Sequence, residues 1–243
     1  HATGSGAWCS GPEDVSPPEY FWGYNRMMTI EGLFGAGDAV GGTPHAFSSG
    51  SFTEGRLSAK AACRYIDDGK GEGIVVSDKR INELKEKIYK PMEHYKIYRN
   101  EVVAGDVNPN YINPRQGLDR LQKLMDEYCG GATVSYMTNE KLLSIGLKKL
   151  KVMEEDLEKL AASDFHELLR AWELMHRHRT AECVTQHTMF RKETRWPGYY
   201  YRGDAMKLDD ENWHVLTVSR RDPKTGEYTM EKAPVYHLVK NGE

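Results

Sequence analysis

Apolar residues recur at intervals of three and four along the middle of the chain, a spacing that predicts helices packed into a bundle. Ile81, Leu84 and Ile88 form one such stripe. We expect Pro91 to kink the first of these helices or to end it early, because proline lacks a backbone N–H group. The predicted helices cover residues 78–98, 114–129, 139–160 and 164–191.

The segment before the bundle follows a different pattern. Residues 1–28 are rich in glycine, serine and proline and are predicted to form loops. Residues 29–36 are predicted to form a short buried strand that ends in a glycine turn. A helix is predicted at 51–66, where Ser51 and Glu54 have the spacing of a capping box.

The segment after the bundle is aromatic and rich in turns. Strand-forming residues at 215–218 are followed by a turn sequence at 221–227, which together indicate a hairpin. The whole pattern predicts the α+β fold class. We expect three parts, at residues 1–75, 76–195 and 196–243.

Composition excludes several classes of function. The chain has 243 residues and a net charge of −3, and its charges are interspersed, so we expect no nucleic-acid partner. No apolar run is long enough for a membrane helix, so we expect no membrane insertion. The four cysteines form no CxxC pair, which predicts no metal site and favours a cytoplasmic location. The chain begins at His1 without an initiator methionine, from which we expect a fragment that starts within a domain.

The densest run of small residues is GLFGAGDAVGGTPHAFSSGS, at positions 32–51. Gly35 and Gly37 would allow a sharp turn and the close approach of another group to the backbone. Asp38 could accept hydrogen bonds from sugar or ribityl hydroxyls, and the start of the following helix would favour negative charge. An ordinary glycine-rich turn before a capped helix explains the same spacing, and Val40 stands where a GxGxxG motif has its third glycine.

Particular runs of residues add a resemblance to a known family. The run TIEGLFGAGD at 29–38 resembles the second FAD-binding segment of the fumarate reductase and succinate dehydrogenase flavoproteins. Within that superfamily, YFWGYNR at 20–26 and GGTPHAFSSGSFTEGR at 41–56 resemble the alpha subunits of dissimilatory adenylylsulfate reductases. The resemblance extends to RKETR at 191–195 and DDENW at 209–213.

This resemblance implies a function. Adenosine 5′-phosphosulfate (APS) would be reduced by two electrons to AMP and sulfite on FAD, with flavin N5 as the reactive atom. His45 matches the active-site histidine of the family, and residues 1–75 would be part of an FAD-binding domain. An iron-sulfur beta subunit would carry two [4Fe-4S] clusters. The residues implied to contact FAD are Gly35, Gly37, Asp38, Ser48, Ser49, Gly50 and Ser51.

Alternatives remain open from the sequence. The chain could belong to a fumarate or succinate oxidoreductase, although Ala46-Phe47-Ser48-Ser49 departs from the run that those enzymes have after the histidine. It could also be a helical interaction module. Because FAD-binding segments that precede this one in the family are absent here, we expect the isolated chain to bind FAD weakly or not at all.

Three further groups of residues each have two interpretations. His176, His178 and His187 could bind a metal, but a solvated helix face is favoured. Arg191, Glu193 and Arg195 could bind an anion or a partner, or form a structural ion-pair cluster that ties the bundle to the flavin domain. Trp22 and Tyr24 could stack on an adenine or flavin ring, or they could belong to the core.

Overall fold

The computed structural model describes residues 5–41, 48–101 and 108–235. The chain divides into two compact units, of which the first contains residues 1–77 and 238–243 and the second residues 78–237. Each unit is described by itself.

The first unit is built from short turns and one long helix. Its N-terminal segment pairs through isolated bridges, Ala7 with Val40 in parallel and Cys9 with Met28 antiparallel. Short 3-10 turns occur at Pro18–Tyr20 and Gly37–Ala39. The helix α1 covers Ser48–Asp67 and packs against the second of these turns.

The strand predicted at 29–36 is wrong. Gly32 has a φ of +76°, and the chain turns back there so that Met28 N–H donates to the carbonyl of Leu33 (2.8 Å). Left-handed backbone of this kind is incompatible with a continuous strand and is readily adopted by glycine. Ile30 lies at the tip of the turn and is 64% exposed instead of buried.

Helix α1 begins at Ser48, three residues before the predicted start. Ser51 therefore lies inside the helix and not at its cap, so the predicted capping box with Glu54 is wrong. The C-terminal half of α1 carries Tyr65, which is buried between Tyr24 and Phe34 with ring centroids 5.3 Å and 5.9 Å away. Edge-on aromatic packing of this type stabilises the unit beyond simple burial.

The second unit contains the four predicted helices. They cover Asp78–Tyr98 (α2), Pro114–Tyr128 (α3), Glu140–Leu157 (α4) and Phe165–Phe190 (α5). Three of them begin at side chains that accept a hydrogen bond from a backbone N–H of the first turn, namely Asn113, Asn139 and Asp164.

Pro91 lies inside α2 and does not end it. The helix continues to Tyr98, and the carbonyl of Pro91 accepts a hydrogen bond from the backbone N–H of Ala162 (3.0 Å). Trp172 on α5 also donates from its ring nitrogen to the carbonyl of Ile88 (3.0 Å). These bonds hold α2 against α5 and the segment before it.

The core of the second unit is formed by α3, α4 and α5. Its members are leucines, a methionine and alanines that recur at helical spacing. The buried cluster contains Leu121, Leu124, Leu150, Met153, Leu157, Leu160, Ala171, Leu174 and Ala181.

The strands of the second unit are short. Met137–Thr138 (β1) pairs in parallel with Tyr201–Arg202 (β2). After the short helix Asp210–Trp213 (α6), the strands Val215–Arg221 (β3) and Tyr228–Pro234 (β4) form an antiparallel pair. The predicted hairpin is confirmed, and the mixture of helices with small sheets confirms the α+β fold class.

Two properties of the whole chain bear on its surroundings. The cysteines at 9, 63, 129 and 183 are all free, and burial raises the pKa of the Cys129 thiol. None of the helices in residues 5–41, 48–101 and 108–235 combines the length and the apolar character that crossing a membrane requires.

Arg202 on β2 closes the C-terminal end of α5. Its guanidinium is buried and donates to the carbonyls of Thr188, Met189 (3.3 Å) and Arg191 (2.8 Å). The last carbonyls of a helix have no partner within it, so a cation there satisfies them and is favoured by the helix dipole. Asp204 holds this guanidinium in place (Nε–Oδ1, 2.9 Å).

We expect Asp204 to make the stability of the second unit depend on pH in acid. Its hydrogen bond with Arg202 is the main cause that lowers the pKa of this carboxyl from 3.8 to about 2. Because the folded-state pKa lies below the unfolded one, the stabilisation is complete above pH 4 and is lost as the pH falls through about 2. Acid unfolding of the Asp204→Asn variant should show a weaker dependence on pH between 4 and 2. An unchanged dependence would contradict the assignment.

Candidate functional site

The glycine turn and the start of α1 lie in direct contact. Gly37 has a φ of +66°, and a Cβ atom built on it would lie 3.1 Å from Oγ of Ser51. A side chain at position 37 would therefore be strained and crowded at once. This contact brings Asp38, the next residue, beside the first turns of α1.

Gly35 has no room for a side chain, for a reason that differs from that at Gly37. A Cβ atom on it would lie 2.3 Å from Cε of Met28 and 2.4 Å from Cγ1 of Val40. The space in front of Gly35 is thus filled by the side chains of the same unit. The close approach of a cofactor to the backbone of Gly35 stays a prediction from the sequence.

Replacing Gly35 with alanine is expected to destabilise the first unit by about 1–3 kcal/mol, because Val40 is buried and β-branched and cannot move aside. The loss should already be present without added FAD. Thermal unfolding of the variant in both conditions measures it. Gly55→Ala is the matched control, since a Cβ atom there would meet nothing within 4 Å.

The polar groups around this contact differ in exposure. Asp38 is exposed and accepts no hydrogen bond from the described residues. Ser48 and Ser49 are exposed in the first turn of α1, while Gly50 and Ser51 are half-buried. The first N–H groups of a helix have no acceptor within it, so this end carries a partial positive charge.

His45, the predicted catalytic residue, lies outside the described residues, as do residues 42–47 generally. The structure therefore brings together Gly37, Asp38 and the residues at the start of α1. The role of His45 stays a prediction.

Sequence reasoning missed an ion pair beside this site. Nη2 of Arg26 lies 2.8 Å from Oε1 of Glu54, and Glu54 is only 7% exposed. The spacing of 28 residues gives no sequence signal, and the sequence favours Glu54 as a capping residue. The buried glutamate instead joins α1 to the segment that precedes the glycine turn.

The histidines on α5 lie in different surroundings. His178 is buried, not solvated as predicted, and its Nε2 lies 2.8 Å from the carbonyl of Leu150. His187 contacts the hydroxyls of Thr217 (3.0 Å) and Ser219 (2.9 Å), and burial, with Arg191 nearby, lowers its pKa. The described part of the chain holds no group of three or more His, Cys, Asp or Glu side chains suited to a metal.

Glu193 is the centre of a structural cluster. Its side chain is fully buried, and its Oε1 contacts Arg191 (2.6 Å) and Arg195 (2.7 Å). Its Oε2 accepts from the backbone N–H of Asp209 (2.9 Å). Arg191 also donates to the carbonyl of Trp213 (2.8 Å). The cluster thus joins the end of α5 to α6, all within the second unit.

Trp22 and Tyr24 pack within the first unit. Tyr24 donates from its hydroxyl to Asp68 (2.7 Å), a hydrogen bond that is the main cause raising the pKa of this tyrosine. Trp22 lies edge-on to Trp8, with centroids 6.5 Å apart. Both residues are half-buried, which supports the core interpretation.

Comparison with known proteins extends the sequence resemblance. The family model "Fumarate reductase flavoprotein C-term" matches residues 118–239. Adenylylsulfate reductase subunit alpha of Megalodesulfovibrio gigas is 41% identical over 98% of this chain. The match covers 37% of that protein.

Solved structures agree in fold. The adenylylsulfate reductase of the hyperthermophilic Archaeoglobus fulgidus is 52% identical over 97% of this chain, with a TM-score of 0.90. An adenosine-5-phosphosulfate reductase in complex with sulfite, as a covalent adduct, matches with the same identity and TM-score. The chain spans 37% of the length of these proteins. The resemblance first seen in short runs of residues is confirmed along nearly the whole chain.

Proposed function

Because the chain belongs to the fumarate reductase flavoprotein C-terminal family, we propose that it is part of a flavoprotein subunit that binds FAD and reduces APS to AMP and sulfite. The observation that carries this proposal is the similarity to adenylylsulfate reductases, which includes the glycine turn and extends over 97–98% of the chain. The proposed activity is that of the complete enzyme, of which this chain supplies one part.

The residues present fit FAD. Asp38 is exposed and open to hydroxyl groups, as a ribityl chain requires. The exposed start of α1 offers N–H donors at Ser48 and Ser49 and favours the negative charge of a reduced flavin. Gly35, Gly37, Gly50 and Ser51 shape the backbone around these groups. We assign residues 1–75 to the FAD-binding domain, 76–195 to a helical domain and 196–243 to a C-terminal tail.

The chemistry divides between cofactor and protein. FAD, when bound, supplies the two electrons that reduce the sulfur, while the S–O bond to the phosphate breaks and AMP and sulfite leave. His45 acts as a cation or hydrogen-bond donor that stabilises the negative charge on the departing sulfite. Asp38 and the start of α1 hold and orient the cofactor.

Electrons must come from a second subunit in this proposal. We assign that role to an iron-sulfur beta subunit with [4Fe-4S] clusters, because the relatives include a subunit named alpha and the cysteines here are scattered along the chain. A cytoplasmic location fits the four free cysteines, since disulfides are uncommon in a reducing compartment.

The proposal is tested on the complete enzyme with its partner subunit. We expect reduction of APS and no reduction of fumarate, with one FAD bound for each flavoprotein subunit. Replacing Asp38 with alanine should weaken FAD binding by about 10–100-fold, as expected for the loss of hydrogen bonds to a charged group. Asp14→Ala is the matched control, because Asp14 is also an exposed acid of the first unit.

Three results would contradict this proposal. Reduction of fumarate without reduction of APS would favour the dicarboxylate alternative. A subunit without FAD, or an Asp38→Ala variant with unchanged flavin content and turnover, would favour the interaction module.

A further inference from the structure

Arg26 connects three segments of the first unit. Its backbone N–H donates to the carbonyl of Ser10 (2.8 Å), and its carbonyl accepts from the N–H of Gly35 (3.0 Å). Its side chain reaches α1 through the 2.8 Å ion pair with Glu54. The backbone of Arg26 is left-handed, with a φ of +64°, which is uncommon for a residue other than glycine. Arg26 is thus fixed to the glycine turn by its backbone and to α1 by its side chain.

Stability alone does not account for this ion pair. Oε2 of Glu54 and Nε of Arg26 are buried and have no hydrogen-bond partner among the described residues. The removal of two charges from water is costly, and apolar residues of similar volume often replace a buried ion pair without loss of stability. A role of the pair in setting the local geometry is the alternative to a role in stability.

That geometry concerns the start of α1. Glu54 follows Ser51 by three residues, so the two lie on the same face of the helix, one turn apart. Ser51 in turn contacts Gly37. Fixing Glu54 therefore fixes how the first turn of α1 lies against the turn that carries Asp38.

We propose that Arg26 and Glu54 are positioning residues for FAD, which set the alignment of the start of α1 with the glycine turn and thereby the reduction potential of the flavin. This inference rests on the proposed function. The positive end of a helix stabilises a reduced, negatively charged flavin more than an oxidised, neutral one. Loss of the alignment weakens the binding of reduced FAD more than that of oxidised FAD, so the potential falls.

The test replaces both charges with apolar residues, Arg26→Met with Glu54→Leu, in the complete subunit. We expect unfolding close to that of the wild type and binding of oxidised FAD weakened about tenfold. The midpoint potential should fall by about 30 mV, which corresponds to a further tenfold difference between the two redox states for a two-electron couple. In the subunit without FAD, hydrogen exchange at residues 48–54 should be faster in the double variant than in the wild type.

A matched control is Arg120→Met with Asp156→Leu, which removes a pair of the second unit between α3 and α4 (2.8 Å). It should leave FAD affinity and potential unchanged. Arg26→Lys keeps the charge without the planar fork, and we expect its potential to lie between those of the wild type and the double variant.

The outcomes separate the inference from the proposed function. A folded double variant with the FAD affinity and potential of the wild type would overturn the inference alone. Should the double variant fail to fold, an unshifted potential in Arg26→Lys would overturn it in the same way. A wild-type subunit that takes up no FAD would overturn the proposed function and the inference with it.

Discussion

Replacement of His45 with alanine in the complete enzyme should lower the turnover of APS by about 10²–10³-fold while FAD content stays that of the wild type. A loss of turnover of this size is expected when one positioned donor or acid that stabilises charge in the transition state is removed. A histidine that only shapes the loop would not produce such a loss at full occupancy of the cofactor. Steady-state rates, together with the flavin absorbance of the same preparation, measure the effect.

The control for this prediction is His166→Ala, which removes an exposed histidine near the start of α5. Its turnover should equal that of the wild type. If His45→Ala retained full turnover, the assignment of His45 as the catalytic residue would be wrong, and the proposed binding of FAD by Asp38 and α1 would be unaffected.

Replacement of Glu193 with alanine is expected to lower the free energy of unfolding of the second unit by about 3–5 kcal/mol. The carboxylate is fully buried between Arg191 and Arg195, so its removal leaves two guanidinium groups without their shared partner. The backbone N–H of Asp209 also loses its acceptor. Calorimetry of the subunit should show a lower unfolding temperature for the transition that includes this unit.

Glu140→Ala provides the comparison for this result. Glu140 also pairs with a cation, Lys192, but both side chains are about half exposed. Exposed pairs contribute about 0–1 kcal/mol. Equal losses in the two variants would mean that burial of Glu193 does not determine its contribution.

The helices of the second unit could be predicted because their signals are local. Apolar residues repeat at helical spacing, and Asn113, Asn139 and Asp164 stand at the starts. Burial of individual polar residues could not be predicted in the same way. His178 lies in the run His176-Arg177-His178-Arg179, which looks solvated in sequence, yet its bond to Leu150 depends on the packing of α5 against α4.

The first unit was harder to predict because its structure depends on single backbone angles and distant pairs. The apolar residues at 29–36 suggest a strand, but the positive φ of Gly32 turns the chain back. The run Ser48-Ser49-Gly50-Ser51 offers several possible helix starts, and the spacing with Glu54 favoured the wrong one.

For the candidate site, proximity along the chain was informative and proximity in space was not. Asp38 and the serines lie close in sequence, so a shared site could be predicted from one short run. Arg26 and Glu54 meet across 28 residues, and neither residue type indicates the other. Only the folded arrangement identifies them.

The way Arg202 completes α5 limits where the chain can be shortened. The carbonyls that it satisfies belong to residues 188–191, so the end of α5 depends on a residue that lies at least eleven positions later in the chain. Truncation before β2 would remove the guanidinium and leave these carbonyls to be satisfied by water.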